Sequence, residues 1–320
     1  MTTFDPRTLI ANLPAYDEDC TVNAEIKAFN RFYGIDFSAD KYEQRLGLVL
    51  TTGFGIALHR FQPEKPAGSA ILVHGYHDHH GMYGHLIKYL LERNLTVYCF
   101  DLPGHGLSSG IRGGIEDFEQ YQQVLASIIE IATSEQKNIS PTLENDAPLH
   151  LIGQSTGAAI INHYILSQPP SLTGQIILLA PLIKPAQWPL VKSAHLVLGP
   201  WLKEVPRKFS INSHDQAFLQ FVQHQDPLQC RTIPVSWVGA LRRWIPAFLK
   251  LEANNHYRPL IIQGQQDATV DWLYNLKILR QKFPRAEELI LAEARHHLAN
   301  EDLKIRHRYL EWLNDQHWGA

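Results

Sequence analysis

The chain has 320 residues, 45% of them apolar and 19% charged, and a formal net charge of −3. That length and balance suit one large soluble α/β domain or two smaller ones with a substantial core, and the charge gives no reason to expect a nucleic-acid partner. Three cysteines (Cys20, Cys99 and Cys230) are odd in number and far apart, which argues against a disulfide framework or a cysteine metal site and for a reducing compartment.

The N-terminus, Met-Thr-Thr-Phe-Asp-Pro-Arg, lacks the basic-then-apolar order of a signal peptide, and no apolar run approaches the ~20 residues that span a bilayer. A cytoplasmic protein is expected. One helix is expected around Asn23 to Phe32. Leu46–Leu50 and Gly55–Phe61 read as strands of an antiparallel hairpin turning near Thr52-Gly53. Ala70–Val73 is a buried strand leading into His74-Gly75-Tyr76. A helix from about Tyr83 to Glu92 and a strand Leu95–Phe100 follow, and the strand runs into the turn Asp101-Leu102-Pro103-Gly104-His105-Gly106. Phe118, Tyr121, Leu125, Ile128 and Ala132 recur at helical spacing and predict a helix from about Glu116 to Thr133, then a polar surface loop over 134–147. Leu149–Ile152 is the next strand, Ala158 onward a helix unbroken until Pro169, and Gln175–Leu179 a further strand.

After Pro181 the alternation stops. Prolines at 185, 189, 200, 206, 227, 234 and 246 punctuate 183–257. It resumes with the strand Pro259–Gln263, the helix Trp272–Phe283, the strand Glu288–Leu291 and a terminal helix Leu303–Leu313. Alternating strands and helices imply a mostly parallel sheet covered on both faces. Residues 1–182 and 258–320 then form an α/β core, and 183–257 a mainly helical insertion between two strands of one sheet.

The stretch that carries chemistry is Gly153-Gln154-Ser155-Thr156-Gly157. It lies between a strand and a helix with no room for a loop, so the chain must reverse sharply at the serine, and the glycines let strand and helix pass closely. The same pattern recurs at Gly106-Leu107-Ser108-Ser109-Gly110, but that copy lies several residues beyond a strand and opens no helix. Ser155 is therefore the candidate nucleophile and Ser108 a loop serine. A serine needs a base, and the base an orienting acid, and in such a sheet these gather at the carboxyl ends of strands. Asp267, in the turn after 259–263, is preferred to Asp271, which suits a helix N-cap at Trp272. His296 or His297, after the last strand, supplies the base. The order Ser155, Asp267, His296/His297 is the order of an α/β-hydrolase. The oxyanion donors expected are the N–H groups of Thr156 and of Tyr76. His150, inside a strand, reads as a core residue. His77, His79 and His80 have no matching ligands elsewhere, so no metal is expected, and no cofactor.

On these residues the chain resembles the monoacylglycerol lipase and lysophospholipase branch of the serine α/β-hydrolases, from about residue 45 onward. The resemblance is carried by His74-Gly75-Tyr76 with Tyr83, by Asp101 to Ser108, by the Ser155 elbow, by Gly264-x-x-Asp267 and by Ala294-Arg295-His296-His297-Leu298-Ala299-Asn300-Glu301. It places the catalytic histidine at His296 and the acid at Asp267, makes Asp101–Ser108 a structural turn, and makes 183–257 a cap over the active site. Two departures stand out. Glu293 occupies a position usually held by glycine, and Gln154 one commonly held by histidine.

The insertion holds four of the seven tryptophans (Trp188, Trp201, Trp237 and Trp244) and nine Lys/Arg against four Asp/Glu. Apolar and basic side chains together suit an acyl chain beside an anionic headgroup, or peripheral contact with a membrane surface. Those tryptophans are the candidate substrate-binding residues. The bland alternative is that they pack the insertion onto the core. The expected activity is carboxylic-ester hydrolysis of lipid-like monoesters. A serine aminopeptidase of the same fold would need cap acids to hold the substrate ammonium, which a basic cap opposes. An inactive binding protein is the remaining alternative.

Overall fold

A computed structural model describes residues 4–17, 20, 22–37, 42–139, 147–169, 171–316 and 318. Its centre is an eight-stranded sheet of β1 (Glu43–Thr51), β2 (Phe54–Gln62), β3 (Gly68–Val73), β4 (Leu95–Phe100), β5 (Leu149–Gln154), β6 (Ile176–Leu179), β9 (Leu260–Gly264) and β10 (Glu287–Leu291), in spatial order β1-β2-β4-β3-β5-β6-β9-β10. Two further strands of the described residues, β7 (Glu204–Pro206) and β8 (Thr232–Pro234), lie outside this sheet, between β6 and β9 in the chain. β2 runs antiparallel to both neighbours and the pairs from β4 onward are parallel. The β1–β2 turn places Thr52 (φ 52°) and Gly53 (φ 82°) in the left-handed region, as a two-residue hairpin turn requires.

The central strands are apolar because both faces are covered. Ile71, Val73, Tyr98, Phe100, Leu151 and Leu178 point to one face, where α4 (Phe118–Ile139), α5 (Thr156–Ser167), α8 (Val235–Lys250) and α9 (Trp272–Lys282) pack. Ala70, Leu72, Val97, Cys99, Ile152 and Leu179 alternate onto the other, against α1 (Pro6–Asn12), α2 (Ala24–Tyr33), α3 (Gly84–Leu91) and α10 (Leu303–Asp315). The helical starts have local causes: Asn23, Asp271 and Asp302 accept the Ile26, Tyr274 and Ile305 N–H groups as N-caps of α2, α9 and α10.

Most expected elements occur within a residue or two of their expected bounds. α4 is longer, continuing to Ile139, so the expected loop begins later, and its residues 140–146 lie outside the described ones, as do residues 1–3 of the N-terminal reading. α1 was not anticipated; Asp5 caps it and a single residue, Leu9, is buried, so it carries almost no periodic signal. Between β6 and β9 the chain forms α6 (Trp188–Leu198), β7 (Glu204–Pro206), α7 (Gln216–Gln220) with a wider turn Phe221–Gln225, β8 (Thr232–Pro234) and α8. β7 and β8 pair as a small antiparallel ribbon that the helical reading did not include. All three cysteines are buried and form no disulfide. No helix of the described residues is long and apolar enough to cross a membrane.

Candidate active site

At the carboxyl end of β5 the chain turns directly into α5, and Ser155 takes φ 54°, ψ −108°. A non-glycine residue at positive φ costs on the order of 1–3 kcal/mol and persists only when its surroundings impose it. Here they do. Ser155 N donates to Leu179 O (2.8 Å), while Ser155 O accepts from Ala159 N (3.0 Å) and Leu182 N (3.1 Å). A Cβ added to Gly157 would lie 2.1 Å from Val73 O, and one on Gly153 would lie 2.6 Å from Ala158 N, so no other residue fits either place.

Ser155 Oγ lies 2.9 Å from His296 Nε2, and His296 Nδ1 lies 2.7 Å from Asp267 Oδ2. All three side chains are buried or nearly so. Asp267 Oδ1 accepts the Thr269 and Val270 N–H groups, and Oδ2 also accepts from Gln263 Nε2 (3.0 Å). Burial alone would raise this carboxyl's pKa; His296 and these hydrogen bonds outweigh it and hold it below the ordinary carboxylate value. Asp271 lies elsewhere, capping α9 and pairing with Lys184 at 2.8 Å.

Ser108 is a structural serine. Its hydroxyl donates to Asp101 O (2.6 Å) and accepts from Ala57 N (2.9 Å), tying the turn after β4 to β2. The three histidines of the 77–80 stretch diverge: His79 meets Asp226, His80 meets Asp101, and His77 sits at φ 69° with its Nδ1 unpartnered. His150 accepts from Gln175 N and packs on Trp318; burial, then Arg93, pushes its pKa down to about 4.

Thr156 is the first residue of α5, so its N–H has no acceptor one turn back in the helix. The loop after β3 passes beside the serine, since a Cβ on Gly75 would lie 3.5 Å from Ser155 Cβ. Tyr76, next in that loop, is held by its hydroxyl donating to Gly113 O (2.8 Å) and by its ring stacking on Trp237 at 3.8 Å. His74 fixes the loop from below, with Nδ1 at 2.7 Å from Gly75 O and Nε2 accepting from Leu102 N.

Several supporting residues escaped the sequence reading. Gln154 Nε2 donates to His296 O (2.9 Å), so the glutamine at this position braces the loop that carries His296. Glu301, fully buried, accepts from Arg295 N (2.7 Å) and His214 N (2.8 Å), and Asn300 Nδ2 donates to Met82 O. His297 is not idle. Its Nε2 lies 3.2 Å from Asp78 Oδ2, near enough for an ion pair though not aligned as a hydrogen bond. The same oxygen accepts from Tyr83 Oη (2.7 Å), which in turn accepts from Gly75 N (3.0 Å). The motif Ala-Arg-His-His-Leu-Ala-Asn-Glu hinted at these contacts, but nothing in the sequence pairs Asp78 with His297.

The insertion tryptophans divide. Trp244 donates to His163 Nδ1 (2.9 Å) and stacks on Phe118, which joins α8 to α5 and α4. Trp188 is buried in the core cluster, Trp237 backs Tyr76, and Trp201 is 79% exposed. Trp188 and Trp244 thus have packing partners within the protein, Trp188 in the core cluster and Trp244 against His163 and Phe118.

The family described as Serine aminopeptidase, S33 matches residues 64–302, well over half of the chain. The human monoglyceride lipase is 26% identical over 293 residues, covering 86% of this chain and 92% of that protein. Phospholipase YtpA of Bacillus subtilis is 28% identical over 221 residues, covering 66% and 80%. An uncharacterized abhydrolase domain-containing protein of Dictyostelium discoideum is 33% identical over 132 residues, and the match spans 41% of this chain and 13% of that protein's length. The fold matches that of a soluble variant of Saccharomyces cerevisiae monoglyceride lipase with a TM-score of 0.73 at 19% identity, covering 85% and 94%. The chain thus belongs to the family described as Serine aminopeptidase, S33, and is an α/β-hydrolase of the monoacylglycerol lipase and lysophospholipase type.

Proposed function

We propose that the chain is a serine carboxylic-ester hydrolase that acts through an acyl-enzyme on single-chain lipid esters of the monoacylglycerol or lysophospholipid kind. The observation that carries this reading is the continuous chain Ser155 Oγ, His296, Asp267, with the serine strained at the start of a helix. Ser155 Oγ attacks the ester carbonyl while His296 Nε2 takes its proton, and Asp267 stabilises the imidazolium. The oxyanion is received by the N–H groups of Thr156 and Tyr76. His296 returns the proton to the leaving alkoxide, releasing the alcohol and leaving Ser155 acylated. Water then attacks with the same base, freeing the acid and restoring the serine.

Fluorophosphonate labelling tests the nucleophile. Ser155→Ala should remove the label and Ser108→Ala should retain it, because the Ser108 hydroxyl is occupied by Asp101 O and Ala57 N. The reverse pattern would overturn the assignment.

The lipid reading is supported by relatives named as monoglyceride lipases and a phospholipase, and by the insertion's surface. α6 buries a single residue, Trp188, and exposes Leu190, Leu196, Val197 and Leu198, with Trp201 just beyond. A contiguous apolar face of this kind favours contact with a lipid surface. An aminopeptidase would need an acid free to hold an ammonium. Three of the four acids of the insertion are engaged elsewhere: Asp226 bonds His79 and Tyr33, Asp215 caps α7 and Glu204 accepts from Thr232; the fourth, Glu252, is exposed just after α8. Across acetate, butyrate, octanoate and dodecanoate esters of one alcohol, kcat/KM should rise with chain length, by up to ~0.8 kcal/mol per buried methylene until the site is full. A monotonic decline from acetate, with cleavage of aminoacyl amides, would favour the aminopeptidase instead.

A further inference from the structure

Beside the catalytic site is a cavity of about 230 Å³ lined by Asp78 and His297 from the core and by Arg207, Phe209, Asn212 and Phe218 from the insertion, among others. One residue of each loop beside the serine borders it. Asp78 shares the Tyr83 hydroxyl with Gly75, whose position abuts Ser155, and His297 follows the catalytic base.

Arg207 stands at the end of the β7–β8 ribbon, where its N–H continues the ladder to Arg231 O. Its side chain is half-buried and oriented. Nη1 donates to Gln229 Oε1 (2.6 Å) and Cys230 O (3.3 Å), and the guanidinium lies 4.5 Å from the Phe209 ring centre. Both side-chain bonds use Nη1; among the described residues Nε and Nη2 have no acceptor. A second guanidinium, that of Arg231, lies 5.2 Å from the same ring. Neither forms an ion pair with a carboxylate of the described residues. Arg60, buried under the β1–β2 hairpin, shows the ordinary arrangement, pairing with Glu43 at 2.5 Å and Glu135 at 3.0 Å. Holding a charge partly out of water without a paired carboxylate is costly; burial lowers the Arg207 pKa, the more distant Asp78 opposes this in part, and the guanidinium remains charged at neutral pH.

Among the described residues one carboxylate lines the cavity, Asp78; it offsets part of this charge from a distance but forms no ion pair with Arg207, its Oδ2 being turned to Tyr83 and His297. The remaining walls carry no charge: side-chain amides and the Ser210 hydroxyl alternate with the Phe209 and Phe218 rings and the apolar Met82, Ile211, Leu219 and Val222. His297 is 4% exposed, and its Nδ1 has no hydrogen-bond partner. The cavity thus offers an oriented cation and an unused buried imidazole nitrogen, the latter on the residue next to His296.

We propose that Arg207 and this cavity form a phosphate subsite, so that the preferred esters are single-chain acylglycerols whose glycerol carries a phosphate group. The proposal rests on the serine-hydrolase reading for its catalytic readout and has a binding readout independent of it. A charge-assisted contact of this kind is worth about ten- to a hundredfold in affinity.

The test compares 1-oleoyl-glycerol with 1-oleoyl-glycerol 3-phosphate in the wild-type chain, Arg207→Gln and Arg207→Lys, with thermal melts to verify folding. The wild type should favour the phosphate ester at least about tenfold in kcat/KM. Arg207→Gln should erase that ratio, chiefly through KM, and Arg207→Lys should restore part of it, since a lysine keeps the charge but not the forked donors. In the second arm, glycerol 3-phosphate is titrated calorimetrically into Ser155→Ala, with binding expected to fall roughly tenfold or more on adding Arg207→Gln. Equal loss on both esters, wild-type preference for the neutral ester, or no binding of glycerol 3-phosphate would each overturn the subsite. Arg207-dependent binding of glycerol 3-phosphate without cleavage of either ester would support the subsite and defeat the hydrolase reading instead.

Discussion

Replacing His296 by alanine is expected to lower kcat/KM for a lipid ester by roughly 10⁴–10⁶-fold, the scale of losing the base from a serine triad. The imidazole is 2.9 Å from Ser155 Oγ, and among the described residues no other histidine hydrogen-bonds that hydroxyl. His297→Ala should lose far less, because its ring faces Asp78 and Phe218. Asp267→Asn should cost about 10⁴-fold for a specific geometric reason. Oδ1 accepts two backbone N–H groups, so the amide oxygen would take that place and the amide NH₂ would face His296 Nδ1. The imidazole would then carry its proton on Nε2, where it must accept one from Ser155. Asp271→Asn keeps a capping oxygen and loses only the Lys184 pair, so its activity should change by a few-fold at most. Steady-state kinetics on folded variants decide the matter, and a larger loss in Asp271→Asn than in Asp267→Asn would refute the acid assignment.

The largest stability effect is expected at Asp226. This residue of the insertion meets His79 of the core at 3.0 Å, and neither side chain is exposed to solvent. Its carboxylate also accepts from Tyr33 Oη (2.6 Å) and Gln229 Nε2 (2.7 Å). Asp226→Ala leaves a buried imidazolium or an unpartnered imidazole and an unpartnered phenol, a loss of about 3–5 kcal/mol for a broken buried pair. Burial opposes both charges, but each partner outweighs it for the other: the Asp226 pKa is brought down to about 2 and the His79 pKa is raised. The carboxylate contribution is therefore complete above the unfolded value near 4 and is lost as pH falls through the folded value. The histidine contribution is complete below the unfolded value near 6.5 and is lost as pH rises through its raised folded value. Urea unfolding of the wild type and Asp226→Asn should show the widest gap at about pH 5–6, narrowing on the alkaline side. A gap that does not change with pH would mean that the pair contributes by shape alone.

The elbow, the order of Ser155, Asp267 and His296, and the parallel core were legible in the sequence because each depends on local pattern. An apolar run turning into a helix at Gly-x-Ser-x-Gly leaves the backbone few choices, and parallel strands bring their carboxyl ends to one edge wherever they occur in the chain. The terminal residues of β5, β9 and β10 thus mark where a site must gather even before the strand order is known. Ser108 was separable from Ser155 on the same ground, since only one of them joins a strand to a helix.

What joins distant segments was decided by the tertiary structure alone. Gln154 to His296, Asp78 to His297 and His79 to Asp226 link residues more than a hundred positions apart, and polar side chains carry no periodicity that announces such partners. The tryptophans make the same point. Composition predicts that the insertion's indoles are buried against something, but only packing distinguishes Trp244, locked between α4 and α5, from Trp201, left in solvent. Local sequence determines the conformation of a segment through sterics and backbone hydrogen bonding. The partner of a buried charge is chosen by which surfaces the fold presses together, and that is a property of the assembled chain.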